Sequence, residues 1–148
     1  ANELTSFESY KVGTPATGHS TICVGAFTSR PGIPGELVDE IARFSSPGPL
    51  RAAAPGQRAI DVAAPGNIVS SAKSWMPSDT SRGLTDKQGT SMASPMVTGP
   101  VAALLQIDPN LDTGQIRNRR EIASSRRAAD SVDDWGLGRI DAAVLLRP

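Results

Sequence analysis

The sequence contains little of several residue types, and each shortage excludes a class of protein. Among its 148 residues there is one cysteine, one histidine and only 4% aromatic residues. A single cysteine cannot form an internal disulfide, and Cys23 stands in an apolar run, which predicts a small buried side chain. Lys+Arg and Asp+Glu each count 15. Because neither sign predominates, we expect no nucleic-acid partner and no attraction to anionic membranes.

Long apolar runs are also missing. No run reaches the roughly 20 residues that cross a bilayer, so we predict no membrane partner. The opening residues, Ala1 to Thr5, lack the basic and apolar regions of a signal peptide, and no leader is expected in them. The length and the 39% hydrophobic content suit one domain with a buried core.

Strand and helix patterns alternate along the chain, which predicts an α/β fold with a mostly parallel sheet. Strands are predicted at Ser20–Phe27, at Ala59–Ala63 (closed by Ala64-Pro65-Gly66) and at Ile68–Ala72, and Lys73–Lys87 favours a hairpin or surface loop. Helices are predicted from Ser91 to about Ile107, after Asp112, where Gln115 completes a capping box, and over Ala142–Leu146 after the cap Asp141. Between the last two, Trp135–Ile140 predicts a turn and a short extended segment.

Two features of the predicted helices conflict with simple burial. The helix after Asp112 is expected to turn Ile116, Ile122 and Ala123 inward, but Arg120 shares that face. A buried charge costs several kcal/mol unless it is paired or reaches solvent, so we interpret this helix as lying at the surface or lacking a partner. In the helix predicted from Ser91 to about Ile107, Pro100 removes one backbone hydrogen bond, which predicts a kink at that position.

The most informative segment is Gly89-Thr90-Ser91-Met92-Ala93-Ser94-Pro95. Gly89 and Thr90 permit a sharp entry into a helix, which places Ser91 in its first turn. Backbone N–H groups there are unpaired and the positive end of the helix dipole favours negative charge. A developing oxyanion beside Ser91 is stabilised by both, as a serine nucleophile requires.

This segment resembles the signature around the nucleophile of the subtilases, the subtilisin-like serine proteases. Four further stretches resemble subtilase segments in the same order: Thr14-Pro15-Ala16 leading to Ile22–Ala26, Phe44–Pro49, Ile60–Gly66 and Trp135–Ala142. The resemblance implies that residues 1–148 are the C-terminal part of a subtilase catalytic domain. The implied fold is three-layered, with a mostly parallel sheet and a central buried helix starting near Ser91.

The activity implied by the resemblance is that of a serine endopeptidase, which hydrolyses peptide or protein substrates through an acyl-enzyme on Ser91. The family resemblance also places Gly13, Thr14, Pro15 and Ala16 in the wall of the substrate pocket; without it they read equally well as a loop entering a strand. No cofactor is implied, and no acidic cluster predicts a metal. The compartment is undetermined, although the family favours a secreted or extracellular parent.

Two parts of the family's catalytic triad are missing from the sequence. Neither the Asp-Ser/Thr-Gly motif nor the His-Gly-Thr-His motif occurs, and His19 reads as a histidine in a surface turn. The aspartates before Ser91 (Asp39, Asp61, Asp79 and Asp86) are interpreted as solvated or capping residues. Asn2 has a spacing that suits the family's oxyanion-hole asparagine but lacks its small-residue lead-in, so that position stays open.

Three hypotheses therefore remain. In the first, the chain is a protease fragment that is inactive alone and whose partner is the missing N-terminal half of the domain. In the second, it is a non-catalytic binding or scaffold module on the same fold. In the third, Ser91 and His19 pair in another kind of hydrolase, which requires a separation of about 3 Å.

Overall fold

The structure is a computed structural model that describes residues 11–18, 20–50, 57–73 and 83–147. The strands are β1 (Val24–Thr28), β2 (Val62–Asn67), β3 (Val69–Ala72), β4 (Leu84–Lys87), β5 (Ser124–Ser125) and β6 (Arg139–Ile140). The helices are α1 (Thr90–Ile107), α2 (Thr113–Ile122), α3 (Val132–Trp135) and α4 (Ala142–Leu145).

Four of the strands form one sheet in the order β1-β2-β6-β5. Strands β1 and β6 run parallel to β2, and β5 runs antiparallel to β6. The predicted α/β fold with a mostly parallel sheet is confirmed. Strands β3 and β4 pair antiparallel, as a hairpin prediction requires, although residues 74–82 between them lie outside the described range.

Strands β1 and β2 both begin later than predicted. Strand β1 starts at Val24 rather than Ser20, because the Thr21 hydroxyl donates to the carbonyls of Ala16 and Gly18 and closes a turn there. Strand β2 starts at Val62 and continues through Pro65-Gly66, where we expected the chain to turn. The pairing register shifts between Phe27 and Thr28, opposite that proline, and such an irregularity accommodates a residue without an N–H.

Helix α1 packs against one face of the sheet. Ala26 and Ala64 from the strands meet Ala93 and Val97 from the helix in the main core cluster. A Cβ on Gly66 would lie 2.5 Å from the Cβ of Ala26, so this glycine permits the close approach. Small side chains thus bring the start of α1 directly against the end of β2.

The opposite face of α1 is exposed among the residues that the structure describes. Ala93, Val97 and Leu104 are buried, whereas the side facing away from the sheet is exposed, including 42% of Met96. The central helix therefore starts where predicted and is buried along its sheet-facing side. It is continuous through Pro100, and the kink expected there stays a prediction.

In helix α2 the predicted N-terminal cap is confirmed, but the prediction of which side chains point inward is partly wrong. The Asp112 side chain accepts from the Gln115 N–H and the Gln115 side chain accepts in return, which completes the capping box. Ile122, expected to point inward, is 69% exposed, whereas Arg120 is 3% exposed. The surface interpretation of this helix is wrong at Arg120, because that guanidinium pairs with Asp61 at 2.7 Å.

The C-terminal segments close the fold. Asp141 caps α4 as predicted, although the helix ends at Leu145, one residue early, and Leu145 joins Leu104 and Ala123 in a second core cluster. On the sheet face opposite α1, the Trp135 ring lies 5.7 Å from the Phe27 ring, centroid to centroid. Within the described residues, no helix combines the length and apolarity that crossing a membrane requires.

Candidate functional site

Ser91 occupies the first turn of α1 and is exposed to solvent. Gly89 precedes the helix with φ of 142°, a conformation that glycine adopts readily, and its N–H donates to the Gly66 carbonyl at 2.8 Å. That bond holds the start of the helix at the carboxyl end of β2. Among the described residues no side chain caps the helix, and the Met92 N–H donates to the Gly89 carbonyl, so the Ser91 N–H itself is the donor left for a ligand at this helix start.

A surface cleft surrounds Ser91. One wall is the exposed side of α1, with Ser91, Ser94 and Thr98, which share a helix face because they are three or four residues apart. Pro15 and Ala16 line the same cleft. The structure therefore places two of the four residues assigned to the pocket wall next to the predicted nucleophile.

A smaller cavity of about 130 Å³ adjoins the cleft. Gly13 lies in its lining, and Ala16 and Val24 belong to both spaces, whereas Thr14 is exposed and lines neither. Cys23 is buried in the same lining, as predicted for a small apolar side chain. Burial, together with the negative charge of Asp61, raises the pKa of the Cys23 thiol to about 11, which makes it a weak nucleophile.

The proton acceptor that Ser91 would need is not among the described residues. His19, the single histidine, and Asn2, the candidate oxyanion residue, both lie outside that range, so the pairing of His19 with Ser91 stays a hypothesis. Asp79 lies outside the range as well. The described part of the chain shows no group of three His, Cys, Asp or Glu side chains placed to hold a metal ion.

The described aspartates before Ser91 have structural partners. Asp39 pairs with Arg139 at 2.9 Å, and Asp86, which lies in β4 rather than in a loop, accepts from the Ser70 hydroxyl. For Asp61 the prediction of a solvated or capping residue is wrong. Its side chain is only 17% exposed; one carboxylate oxygen pairs with Arg120, and the other accepts from the Cys23 N–H at 2.8 Å.

Several residues of the site were not singled out from the sequence. Ser94 and Thr98 carried a usable signal, since their spacing from Ser91 places them on one helix face. Val24 carried no such signal in the sequence, because a strand pattern does not show which end of the strand lies at a cleft. The pairing of Arg120 with Asp61, 59 residues apart (120 − 61), is likewise invisible before the chain folds.

Comparisons with known proteins find relatives over most of the chain. The model of the subtilase family matches residues 2–134. Subtilisin from Bacillus pumilus is 33% identical over 143 residues, which cover 97% of this chain and 44% of that protein.

Two solved structures resemble the fold. The CspB protease of Clostridium perfringens has a TM-score of 0.70 at 25% identity, over 93% of this chain and 28% of that one. Fervidolysin from Fervidobacterium pennivorans, a keratinolytic enzyme related to subtilisin, has a TM-score of 0.66 at 29% identity, over 90% of this chain and 20% of that one. The chain thus spans less than half the length of each of these three relatives.

Proposed function

The chain belongs to the subtilase family, and from that premise we propose that residues 1–148 are the C-terminal part of a subtilase catalytic domain in which Ser91 is the nucleophile of a serine endopeptidase. The observation that carries this proposal is the position of Ser91. It lies exposed in the first turn of α1, at a cleft that Pro15 and Ala16 also line. A peptide in that cleft would have its carbonyl between the Ser91 hydroxyl and the Ser91 N–H.

The proposed reaction is acyl transfer from a peptide to water. The Ser91 Oγ attacks the peptide carbonyl carbon, and its proton passes to a histidine that the missing part of the domain supplies. The carbonyl oxygen becomes an oxyanion that accepts from the Ser91 N–H and is favoured by the positive end of α1. The C–N bond then breaks, the amine leaves with the proton, and water hydrolyses the ester to free Ser91.

The proposed partner is the N-terminal half of the same catalytic domain. The face of α1 turned away from the sheet is exposed, although it carries large apolar side chains: Met96 is 42% exposed and Ile107 is 64% exposed. An apolar helix is normally covered on more than one side. Docking of the missing half onto this face would bring the missing aspartate and histidine to Ser91.

Labelling with a fluorophosphonate, which reacts with activated serines, tests the proposal. The chain alone should not be labelled, because a serine hydroxyl is a poor nucleophile at neutral pH without a base. After the N-terminal half of the parent domain is added in trans, mass spectrometry should find the label on Ser91. Ser91→Ala should abolish labelling, whereas Ser94→Ala, one turn away in the same cleft, should leave Ser91 labelled.

Two results would contradict the catalytic role. Labelling of the isolated chain that survives Ser91→Ala would show that another residue reacts. If the two halves form a stable complex but Ser91 stays unlabelled, the chain is the non-catalytic binding or scaffold module of the alternative hypothesis.

A further inference from the structure

Asp61 joins three segments at the edge of the Ser91 site. Its N–H donates to the Cys23 carbonyl at 2.9 Å, and its carboxylate accepts from the Cys23 N–H at 2.8 Å. Its own carbonyl accepts from the Leu137 N–H at 2.9 Å. The residue before β2 is therefore bonded to the residue before β1 and to the C-terminal segment.

The second carboxylate oxygen of Asp61 pairs with the Nη1 of Arg120 at 2.7 Å. The Arg120 side chain is 3% exposed, belongs to the last turn of α2 and lines neither the cleft nor the cavity. A carboxylate this poorly exposed needs an opposite charge, because its desolvation is otherwise uncompensated. The position of Asp61 therefore depends on Arg120.

The segment that Asp61 holds is a wall of the pocket. Cys23 lines the smaller cavity, and Val24 lines both that cavity and the cleft containing Ser91. Both spaces also include Ala16 and Thr90, so a shift of Cys23 and Val24 would change the shape of the cleft beside the nucleophile. Arg120 lines neither space, and its ion pair reaches the wall through the Asp61 carboxylate, which accepts from the Cys23 N–H.

We propose that Arg120 is a positioning residue of the Ser91 pocket: it fixes the Asp61 carboxylate, which in turn fixes the wall formed by Cys23 and Val24. Calling this space the substrate pocket rests on the proposed function. The coupling from Arg120 to the wall is independent of catalysis and can be measured without a substrate.

Cys23 provides a built-in probe of the wall because it is the single cysteine in the sequence. In the 148-residue chain, the rate of its reaction with dithionitrobenzoate measures how often the wall opens. Arg120→Met should raise this rate roughly tenfold or more in the absence of urea, because an unpaired buried carboxylate favours the opened state. The rate should depend only weakly on urea, since a local opening exposes little surface.

Arg119→Met is the matched control. Arg119 is the neighbouring arginine in the same last turn of α2 and donates to the Arg147 carbonyl instead. Its substitution removes the same charge from the helix end and should leave the Cys23 reaction at the wild-type rate. Arg120→Lys retains a cation and should give a rate between those of wild type and Arg120→Met.

A purely structural role for Arg120 predicts a different result. Leu145→Ala weakens the second core cluster, to which Asp61 does not belong, so any rise in the Cys23 reaction rate should then come from global unfolding and show the full dependence on urea. If Arg120→Met shows that same urea dependence, or if Arg119→Met raises the rate equally, the proposal is wrong. It is also wrong if Cys23 in the wild-type chain reacts as fast as in the urea-unfolded chain.

If Arg120→Met does not fold, Arg120→Lys is the deciding variant. A Cys23 reaction rate in Arg120→Lys equal to that of wild type would then overturn the proposal. These outcomes are separate from those of the labelling at Ser91. A chain whose Ser91 never becomes labelled can still show the coupling between Arg120 and Cys23, and the reverse also holds.

Discussion

Helices α1 and α2 show opposite relations between composition and burial. Helix α1 has 18 residues, most of them apolar or small, yet the face turned from the sheet is exposed. Helix α2 has 10 residues and is polar, yet its buried residue is Arg120. The comparison teaches that burial follows the partner available to each face: α1 has a partner on one side, and Arg120 has Asp61.

The largest effect on stability is expected for Arg120→Met, which tests this comparison directly. Removing one member of a buried ion pair leaves the other charge uncompensated, so we expect a loss of about 3–5 kcal/mol in the free energy of unfolding. Arg119→Met should change it by less than about 0.5 kcal/mol, as for a surface residue. Urea unfolding followed by circular dichroism measures both, and equal losses would mean that the partner of Arg120 does not matter.

A smaller effect on the free energy of unfolding is expected from substitutions on the two faces of α1. Leu104→Ala removes a side chain that is 2% exposed and should cost about 3 kcal/mol. Met96→Ala, on the open face, should change the free energy of unfolding of the isolated chain by less than about 0.5 kcal/mol. Urea unfolding compares the two variants, and a large loss from Met96→Ala would show that this face already has a partner within the chain.

The smallest effect concerns a second buried charge, Asp130. Burial alone would raise its pKa, but hydrogen bonds from Arg139 and Arg127 outweigh burial and hold the pKa of the Asp130 carboxyl below its usual value. Stability from this group is therefore present above the unfolded-state pKa of about 3.9 and is lost as pH falls through the lower folded-state pKa. The loss should be modest because Arg127 is 46% exposed and solvent screens its charge.

Asp130→Asn provides the measurement for this pH dependence. The difference in the free energy of unfolding between wild type and Asp130→Asn should shrink as pH is lowered from 7 into this acid range, because the wild-type carboxyl becomes neutral. A difference that stays constant with pH would show that the charge of Asp130 contributes nothing to stability.

Local features of the fold were predictable from the sequence wherever neighbouring residues decide them. The start of α1 after Gly89, the capping box of Asp112 with Gln115, and the cap at Asp141 agree with the structure. Each depends on side chains and backbone groups within one helical turn, which a single stretch of sequence displays. The alternation of strands and helices predicted the fold class for the same reason.

Features decided by distant segments were predicted poorly. The end of β2 was misplaced because its continuation through Pro65-Gly66 depends on pairing with β1. Ile122 was expected to be buried, and burial of Arg120 was expected to be unfavourable. Helical periodicity cannot show that Arg120 meets Asp61 in the folded chain, or that Ile122 faces solvent.

The sequence by itself determined the serine motif, the helix that presents Ser91 and the family resemblance, because those depend on residues adjacent along the chain. Only the tertiary structure decided that Pro15 and Ala16 line the same cleft as Ser91 and that Arg120 pairs with Asp61. The physical reason is that both arrangements arise when β1 and β2 pair and α1 and α2 dock beside them. A contact between residues far apart in sequence exists only after those surfaces have been buried against each other.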